Sequence, residues 1–255
     1  MPKDGATGPS RIWLVRHGES AGNVARDRAH ESGLDRIDLA ARDVDIPLSP
    51  LGEDQAAALG AHVARANAED RPEVILVSPY RRALQTAGRI TGALDGGSDL
   101  PLRIDERLRE KEFGILDGLT TRGVTAVYPE QAEFRRLLGK FYHRPPGGES
   151  WCDVIFRLRS LLDTVAIRHA DQRVMIVAHQ VVVLCMRYII EELTEDEILA
   201  IDAEGDVANC SVTEYRRDPA GGGLRLVRYN ATDHLERAAD AEVTAEPDRA
   251  GGIRG

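Results

Sequence analysis

Short β-branched runs alternating with longer amphipathic stretches predict an α/β protein: a three-layer sandwich with a mostly parallel central sheet and helices on both faces. Two observations carry that reading. The runs Ile12–Val15, Val74–Val77 and Val174–Val177 are apolar throughout, as strands covered on both faces are. Between them lie segments of helical length that open on recognisable start signals.

Taken in order, Ile12–Val15 is the first strand. Ser49 is placed to cap a helix with Pro50 at its first position, and an alanine-rich body over residues 55–68 continues it. Val74–Val77 runs into Ser78-Pro79, after which a helix carries Arg82, Leu84 and Ile90. Ser150 and Asp153 form a capping-box pattern that opens a helix through Leu161 and Leu162 toward His169. A helix from Val181 to about Leu193 follows the third buried strand. Two last strands, Ser211–Tyr215 and Leu224–Tyr229, flank a turn-rich segment at 218–223.

A chain of 255 residues can bury a substantial core, and α/β proteins of this size often form one domain. We therefore expect a flexible N-terminus over residues 1–10, a single domain over 11–235 and a flexible tail over 236–255, since neither end has an apolar period. With 42 acidic against 33 basic residues the net charge is -9, which excludes the basic footprint of a nucleic-acid binder. The three cysteines, Cys152, Cys185 and Cys210, have no CxxC spacing, which argues against a disulfide framework or a zinc site and for a reducing compartment. The first ten residues contain no apolar signal core, and the longest apolar stretch, residues 181–186, stops at Arg187. A cytoplasmic location without membrane anchoring is the expectation, and self-association stays open.

All three buried strands end in polar residues of catalytic type: Arg16-His17-Gly18, then Ser78 and Arg82, then His179-Gln180. Ligands of open α/β sheets bind outside the carboxyl ends of the strands, where helix N-termini add backbone N–H groups. Two arginines and two histidines gathered there make a cationic pocket in an acidic protein, and phosphate or another oxyanion is its natural guest. Each residue also has a plain structural reading: His17 hydrogen-bonded in a loop, Arg82 on a solvated helix face beside Arg81, His179 as a core histidine.

The motifs themselves resemble the histidine phosphatase superfamily, in its phosphoglycerate mutase-like branch. LVRHGESAGN (Leu14 to Asn23) resembles the family signature. DIPLSPLGEDQA (Asp45 to Ala56), SPYRRALQTA (Ser78 to Ala87), LREKEFGILDG (Leu108 to Gly118), PPGGES (Pro145 to Ser150) and VMIVAHQ (Val174 to Gln180) are similar to its later motifs in order. The resemblance covers about residues 11–230 and implies a phosphoglycerate mutase-like fold with cap segments at about 24–44 and 119–148. It implies that His17 accepts the phosphoryl group, that Arg16, Arg82 and His179 surround that group, and that Asn23 touches it from the following helix. Those residue types suit the chemistry. A neutral imidazole is nucleophilic when one nitrogen donates to a fixed acceptor, and arginines neutralise the equatorial oxygens, so no cofactor or metal is expected. The histidines show no HExxH or HxH spacing.

The leaving oxygen needs a proton, and the resemblance assigns that role to Glu110 ahead of Glu112. Two departures from the family pattern stand out. Gln180 follows His179 where many relatives have glycine, which affects the approach of the backbone to phosphate. The charge-rich segment between Asn23 and Asp45 is long, and reads either as a substrate-selecting lid or as a surface excursion. Within the second cap segment, Lys140, His143 and Arg144 are candidate contacts to the rest of a substrate. Cys210 and Arg216 have the C-x5-R spacing of cysteine-dependent phosphatases, but the intervening SVTEY reads as strand rather than a phosphate-binding nest. The expected activity is hydrolysis of a small phosphorylated substrate through a phosphohistidine. By that resemblance the second cap, about thirty residues between Gly118 and Ser150, is shorter than the insertion the family's mutases carry, which implies water over a returned substrate; mutase-type transfer and a weakly active phosphate-binding regulatory domain are the alternatives.

Overall fold

The computed structural model describes residues 8–94, 100–220, 223–238 and 240–245. In chain order the elements are β1 (Arg11–Arg16), α1 (Ala21–Glu31), α2 (Pro50–Arg65), β2 (Val74–Val77), α3 (Arg81–Gly92), β3 (Leu102–Ile104), α4 (Thr121–Val127), α5 (Pro129–Tyr142), α6 (Trp151–Arg168), β4 (Arg173–Ala178), α7 (Gln180–Ile190), α8 (Glu195–Glu204), β5 (Val212–Arg217), β6 (Leu224–Ala231) and α9 (Asp233–Glu236). The strands form one six-stranded sheet in the order β3-β2-β4-β1-β5-β6. The first four are parallel neighbours, and β5 and β6 add an antiparallel edge.

Strand periodicity divides the core between two faces. Ile12, Leu14, Val74, Leu76, Val174 and Ile176 pack with α6 and α7 through Trp151, Leu158, Leu161, Val182 and Met186. Trp13, Val15, Ile75, Val77, Met175 and Val177 face α2 and α3 through Ala56, Leu59, Ala83, Ala87 and Ile90. This is the three-layer arrangement expected from the sequence. The caps also fall where the side chains place them: Ser49 Oγ accepts from Gly52 N at 3.0 Å, and Ser150 and Asp153 form a reciprocal capping box. Among the described residues no helix is long and apolar enough to cross a membrane.

The chain ends depart from expectation. Past Glu236, in the segment read as a loose tail, Ala241 is only 4% exposed within the α2–α3 core. Thr244 C=O accepts from Asn209 N at 2.8 Å, and Gln55 Nε2 donates to Glu242 C=O at 2.7 Å. A strap held by single small residues and backbone bonds has no apolar period, which is why composition did not reveal it. Gly8 and Pro9 are likewise buried, and Ser10 N donates to Gln172 C=O at 2.9 Å, while residues 1–7 and 246–255 lie outside the described residues.

The first turn of α2 packs against the loop after β1. A Cβ on Gly52 would overlap the Glu19 carbonyl oxygen and come within 2.9 Å of Glu19 N, both backbone atoms that cannot move aside. Gly52→Ala should therefore lower unfolding stability by about 3 kcal/mol. Denaturant unfolding checks this, and a loss below about 0.5 kcal/mol would contradict the close packing.

Candidate active site

β1 stays in register with β4 for one residue past its end, because His17 N donates to Ala178 C=O at 3.0 Å. That brings His17 beside His179, the residue following β4, with ring centroids 5.1 Å apart and edge to face. The His17 loop is held from behind: Asn209 Nδ2 and Cys210 N donate to His17 C=O at 3.0 and 3.2 Å. From the other side Gly18 N donates to Thr86 Oγ1 at 3.1 Å, and that hydroxyl donates to Arg82 C=O at 2.8 Å. Loop, β5 entry and α3 are thus one hydrogen-bonded unit.

The tautomer of His17 follows from its partners. Nδ1 lies 2.7 Å from Gly18 C=O, which can only accept, so Nδ1 carries the proton and Nε2 keeps its lone pair. Arg82 Nε donates to that Nε2 at 3.1 Å. Burial, then the Arg82 and Arg16 charges, hold the His17 pKa well below the usual histidine range, so the ring is neutral at pH 7. Arg82 comes from the first turn of α3 and lies over the Tyr80 ring at 4.8 Å. Arg16 is buried at the end of β1 and donates through Nη1 to Val207 C=O.

His179 is fully buried, and its Nε2 meets Ser78 Oγ at 2.8 Å; burial and then Arg82 depress its pKa as well. Its Nδ1 lies 4.0 Å from Glu110 Oε2. Glu110 has its pKa raised to about 7, chiefly by burial and against an opposing hydrogen bond from Lys111 N. A buried hub fixes the segment carrying it: Arg157 pairs with Glu149 at 2.9 Å and also donates to Glu110 C=O at 3.3 Å, while Glu149 accepts from Glu112 N. Glu112 itself is exposed, with Tyr80 Oη donating to it, and it does not line the cavity.

These groups surround a cavity of about 240 Å³ lined by Arg16, His17, Asn23, Arg82, Glu110 and Gln180. Asn23 sits in the first turn of α1, where its Oδ1 accepts from Ser20 N and Ser20 Oγ at 2.9 and 2.8 Å; its amide nitrogen is the donor it can offer a ligand. Six of the sequence-predicted residues, Arg16, His17, Asn23, Arg82, Glu110 and Gln180, therefore share one cavity, and His179 packs against the His17 ring just outside its lining. The profile of the histidine phosphatase superfamily (branch 1) matches residues 12–232.

The chain belongs to the histidine phosphatase superfamily, branch 1.

Among the similar proteins in this superfamily, a probable fructose-2,6-bisphosphatase of Schizosaccharomyces pombe is 30% identical over 188 residues, 73% of this chain and 40% of that protein. The chain spans about two fifths of the length of the first curated relatives it matches. A probable phosphoglycerate mutase GpmB of Yersinia enterocolitica is 29% identical over 91% of this chain and 98% of its own. Among solved structures, Bacillus stearothermophilus YhfR superposes with a TM-score of 0.69 at 26% identity, covering 88% of this chain and 98% of its own. A mycobacterial glucosyl-3-phosphoglycerate phosphatase does so with 0.65 at 27%, covering 87% and 99%.

In this member of the superfamily the segment 24–44, which the sequence left open between lid and surface excursion, lines the cavity. Burial alternates along residues 33–39, so Ile37 and Leu39 turn inward while Arg36 and Asp38 stay exposed. Ile37 N donates to Gly118 C=O at 2.9 Å and Thr120 N to Asp35 C=O at 3.1 Å, stitching this strap to the wall that carries Leu116 and Leu119. The three cap candidates lie elsewhere. Lys140 pairs with Asp202 at 2.6 Å, His143 meets Gln131 at 3.3 Å, and Arg144 pairs with Asp153, all away from the cavity lining because α5 packs on α6 instead.

Gln180, in the usual glycine position, opens α7 and donates from Nε2 to Asp206 Oδ1 at 2.8 Å, so its side chain is drawn toward Asp206. Cys210 is buried behind the His17 loop, and burial raises its thiol pKa, which does not suit a thiolate nucleophile. Sequence reasoning missed Thr86 and Asn209, whose roles arise from contacts far along the chain, and Asp43, a further cavity residue that bonds Arg82. Among the described residues no group of three His, Cys, Asp or Glu side chains is arranged to hold a metal ion.

Proposed function

We propose that the protein hydrolyses phosphomonoesters through a phosphohistidine on His17. The observation that supports this most strongly is the pairing of a neutral imidazole, its Nε2 lone pair facing Arg82, with a carboxyl group at Glu110 that is half protonated near pH 7. Arg16, Arg82, His179 and the Asn23 amide hold the three equatorial oxygens of the phosphoryl group, taking the neutralising role that other phosphoryl-transfer sites give to metal ions. Nε2 attacks phosphorus as the ester P–O bond breaks, and Glu110 gives its proton to the leaving oxygen. The Glu110 carboxylate then takes a proton from water, whose oxygen attacks the phosphohistidine and releases phosphate with the imidazole restored. Activity should survive a chelator. Three free cysteines fit a reducing, cytoplasmic setting.

The cavity wall favours a leaving group with apolar surface. Ile37, Leu39, Leu116 and Leu119 face the space beyond the phosphoryl position, where two carboxylates, Asp43 and Asp117, also lie. A second reading, phosphoglycerate mutase-type transfer, draws on the similarity to GpmB over nearly its whole length. The two separate on one incubation. With 3-phosphoglycerate and a catalytic amount of its bisphosphorylated form, hydrolysis yields inorganic phosphate, whereas isomerisation to 2-phosphoglycerate much faster than phosphate release would decide for the mutase. A panel of aryl, alkyl and sugar phosphates identifies the leaving group, and phosphate release from none of them would overturn the hydrolase reading.

A further inference from the structure

We propose that Asp43 is a built-in competitor for the phosphoryl site: its carboxylate takes the edge of Arg82 that a phosphoryl group needs, and so sets how tightly the protein holds phosphate. The inference rests on the hydrolase reading for where the phosphoryl group sits, and deepens it by naming a residue that controls product release.

Arg82 divides its donors between two partners. Nε points at His17 Nε2 at 3.1 Å, and the terminal nitrogens point at Asp43: Nη1 to its backbone oxygen and Oδ1, both at 2.8 Å, and Nη2 to Oδ2 at 3.2 Å. A carboxylate seated across both terminal nitrogens uses the same fork that binds two phosphoryl oxygens. Two anions cannot share that fork, and a phosphoryl group attacked by His17 Nε2 lies against this guanidinium.

The two partners differ in how easily they move. The Arg82 side chain is 6% exposed and that of Asp43 is 41% exposed, so the carboxylate has a route to solvent and the guanidinium does not. Asp43 opens the single helical turn Asp43–Asp45, a surface element between the strap and Ile46. When its carboxylate rotates away, the bond from Nη1 to the Asp43 backbone oxygen keeps Arg82 turned toward His17. The side chain yields while the main chain continues to orient the clamp.

Charge points the same way. Arg16, Arg26 and Arg82 in the lining are opposed by Asp43, Glu110 and Asp117. Burial is the main cause of the raised pKa of both Glu110 and Asp117, and the negative charge of Asp43 adds to it across the cavity. A phosphate dianion must displace this charge on entry, and the returning carboxylate helps expel it after hydrolysis. Turnover gains from that, because a cationic clamp without a competitor would retain its product.

The test is equilibrium binding of inorganic phosphate to the full chain by calorimetry, at fixed pH and ionic strength. Asp43→Asn and Asp43→Ala should each bind phosphate at least about tenfold more tightly than the wild type. Asp45→Asn removes the same charge two residues away, from an exposed carboxylate paired with Arg42 at 3.1 Å, and should match the wild type. Unchanged or weaker binding by both Asp43 variants overturns the proposal, as does equal tightening by Asp45→Asn, which would make the effect one of general field. Because the readout is binding, failure of the hydrolase reading shows separately, as tighter binding by the Asp43 variants in a protein that releases phosphate from no phosphomonoester.

Discussion

His17→Ala is expected to abolish phosphomonoester turnover, lowering kcat by at least about 10³-fold with the fold retained. The loss should be in kcat more than in KM, because Arg16 and Arg82 still line the cavity when the imidazole is gone. Retention of the fold is expected because the bonds that hold this loop, from His17 N to Ala178 C=O and from Asn209 to His17 C=O, are made by the backbone of residue 17 and not by its ring. Steady-state kinetics with an aryl phosphate, together with a thermal unfolding curve, checks both halves. Turnover within tenfold of the wild type would remove His17 from the nucleophile's role.

The second large effect belongs to Glu110 and depends on the leaving group. Glu110→Gln should slow hydrolysis of alkyl phosphates by about 10²–10⁴-fold and of aryl phosphates much less, because a phenolate departs with little help from a proton. The wild-type pH profile has a definite sign. Burial raises the Glu110 pKa to about 7, the proton donor is the protonated form, and alkyl phosphate hydrolysis therefore falls as pH rises through about 7. That descending limb should vanish in the variant. Stability moves too: a carboxyl whose pKa is raised from 4.5 to about 7 on folding binds more protons in the native state, so its contribution is lost as pH rises across that interval. Glu110→Gln does not titrate and should lose less stability than the wild type over the same range. Equal rate losses on alkyl and aryl substrates would move the acid elsewhere.

Legibility in the sequence followed the range of the interactions. The central strands were readable because residues such as Ile75 and Ile176 are buried on a sheet covered on both faces, which leaves a continuous apolar run. Ser49 with Pro50, and Ser150 with Asp153, were readable because a cap acts within four residues. β3 carried no such signal, since all three of its residues are exposed at the sheet edge. The strap over residues 33–39 wrote its inward alternation into Ile37 and Leu39, but charged neighbours hid it. Asp43 could not be read at all. It stands in a run of charges that is usually solvated, and its meaning comes from a guanidinium 39 positions away. The support of Glu110 by Arg157 and Glu149 is invisible for the same reason: it links two segments distant in sequence through a buried ion pair.

The central claim, a covalent phosphoryl group on His17, is tested most directly by rapid quench of the enzyme with a radiolabelled phosphomonoester, followed by peptide mapping. The account predicts a label that forms within one turnover, survives alkali, is lost in acid as a phosphoramidate is, and maps to the peptide containing His17. A label on serine or cysteine, or burst-free turnover with no label while phosphate is released, would contradict it.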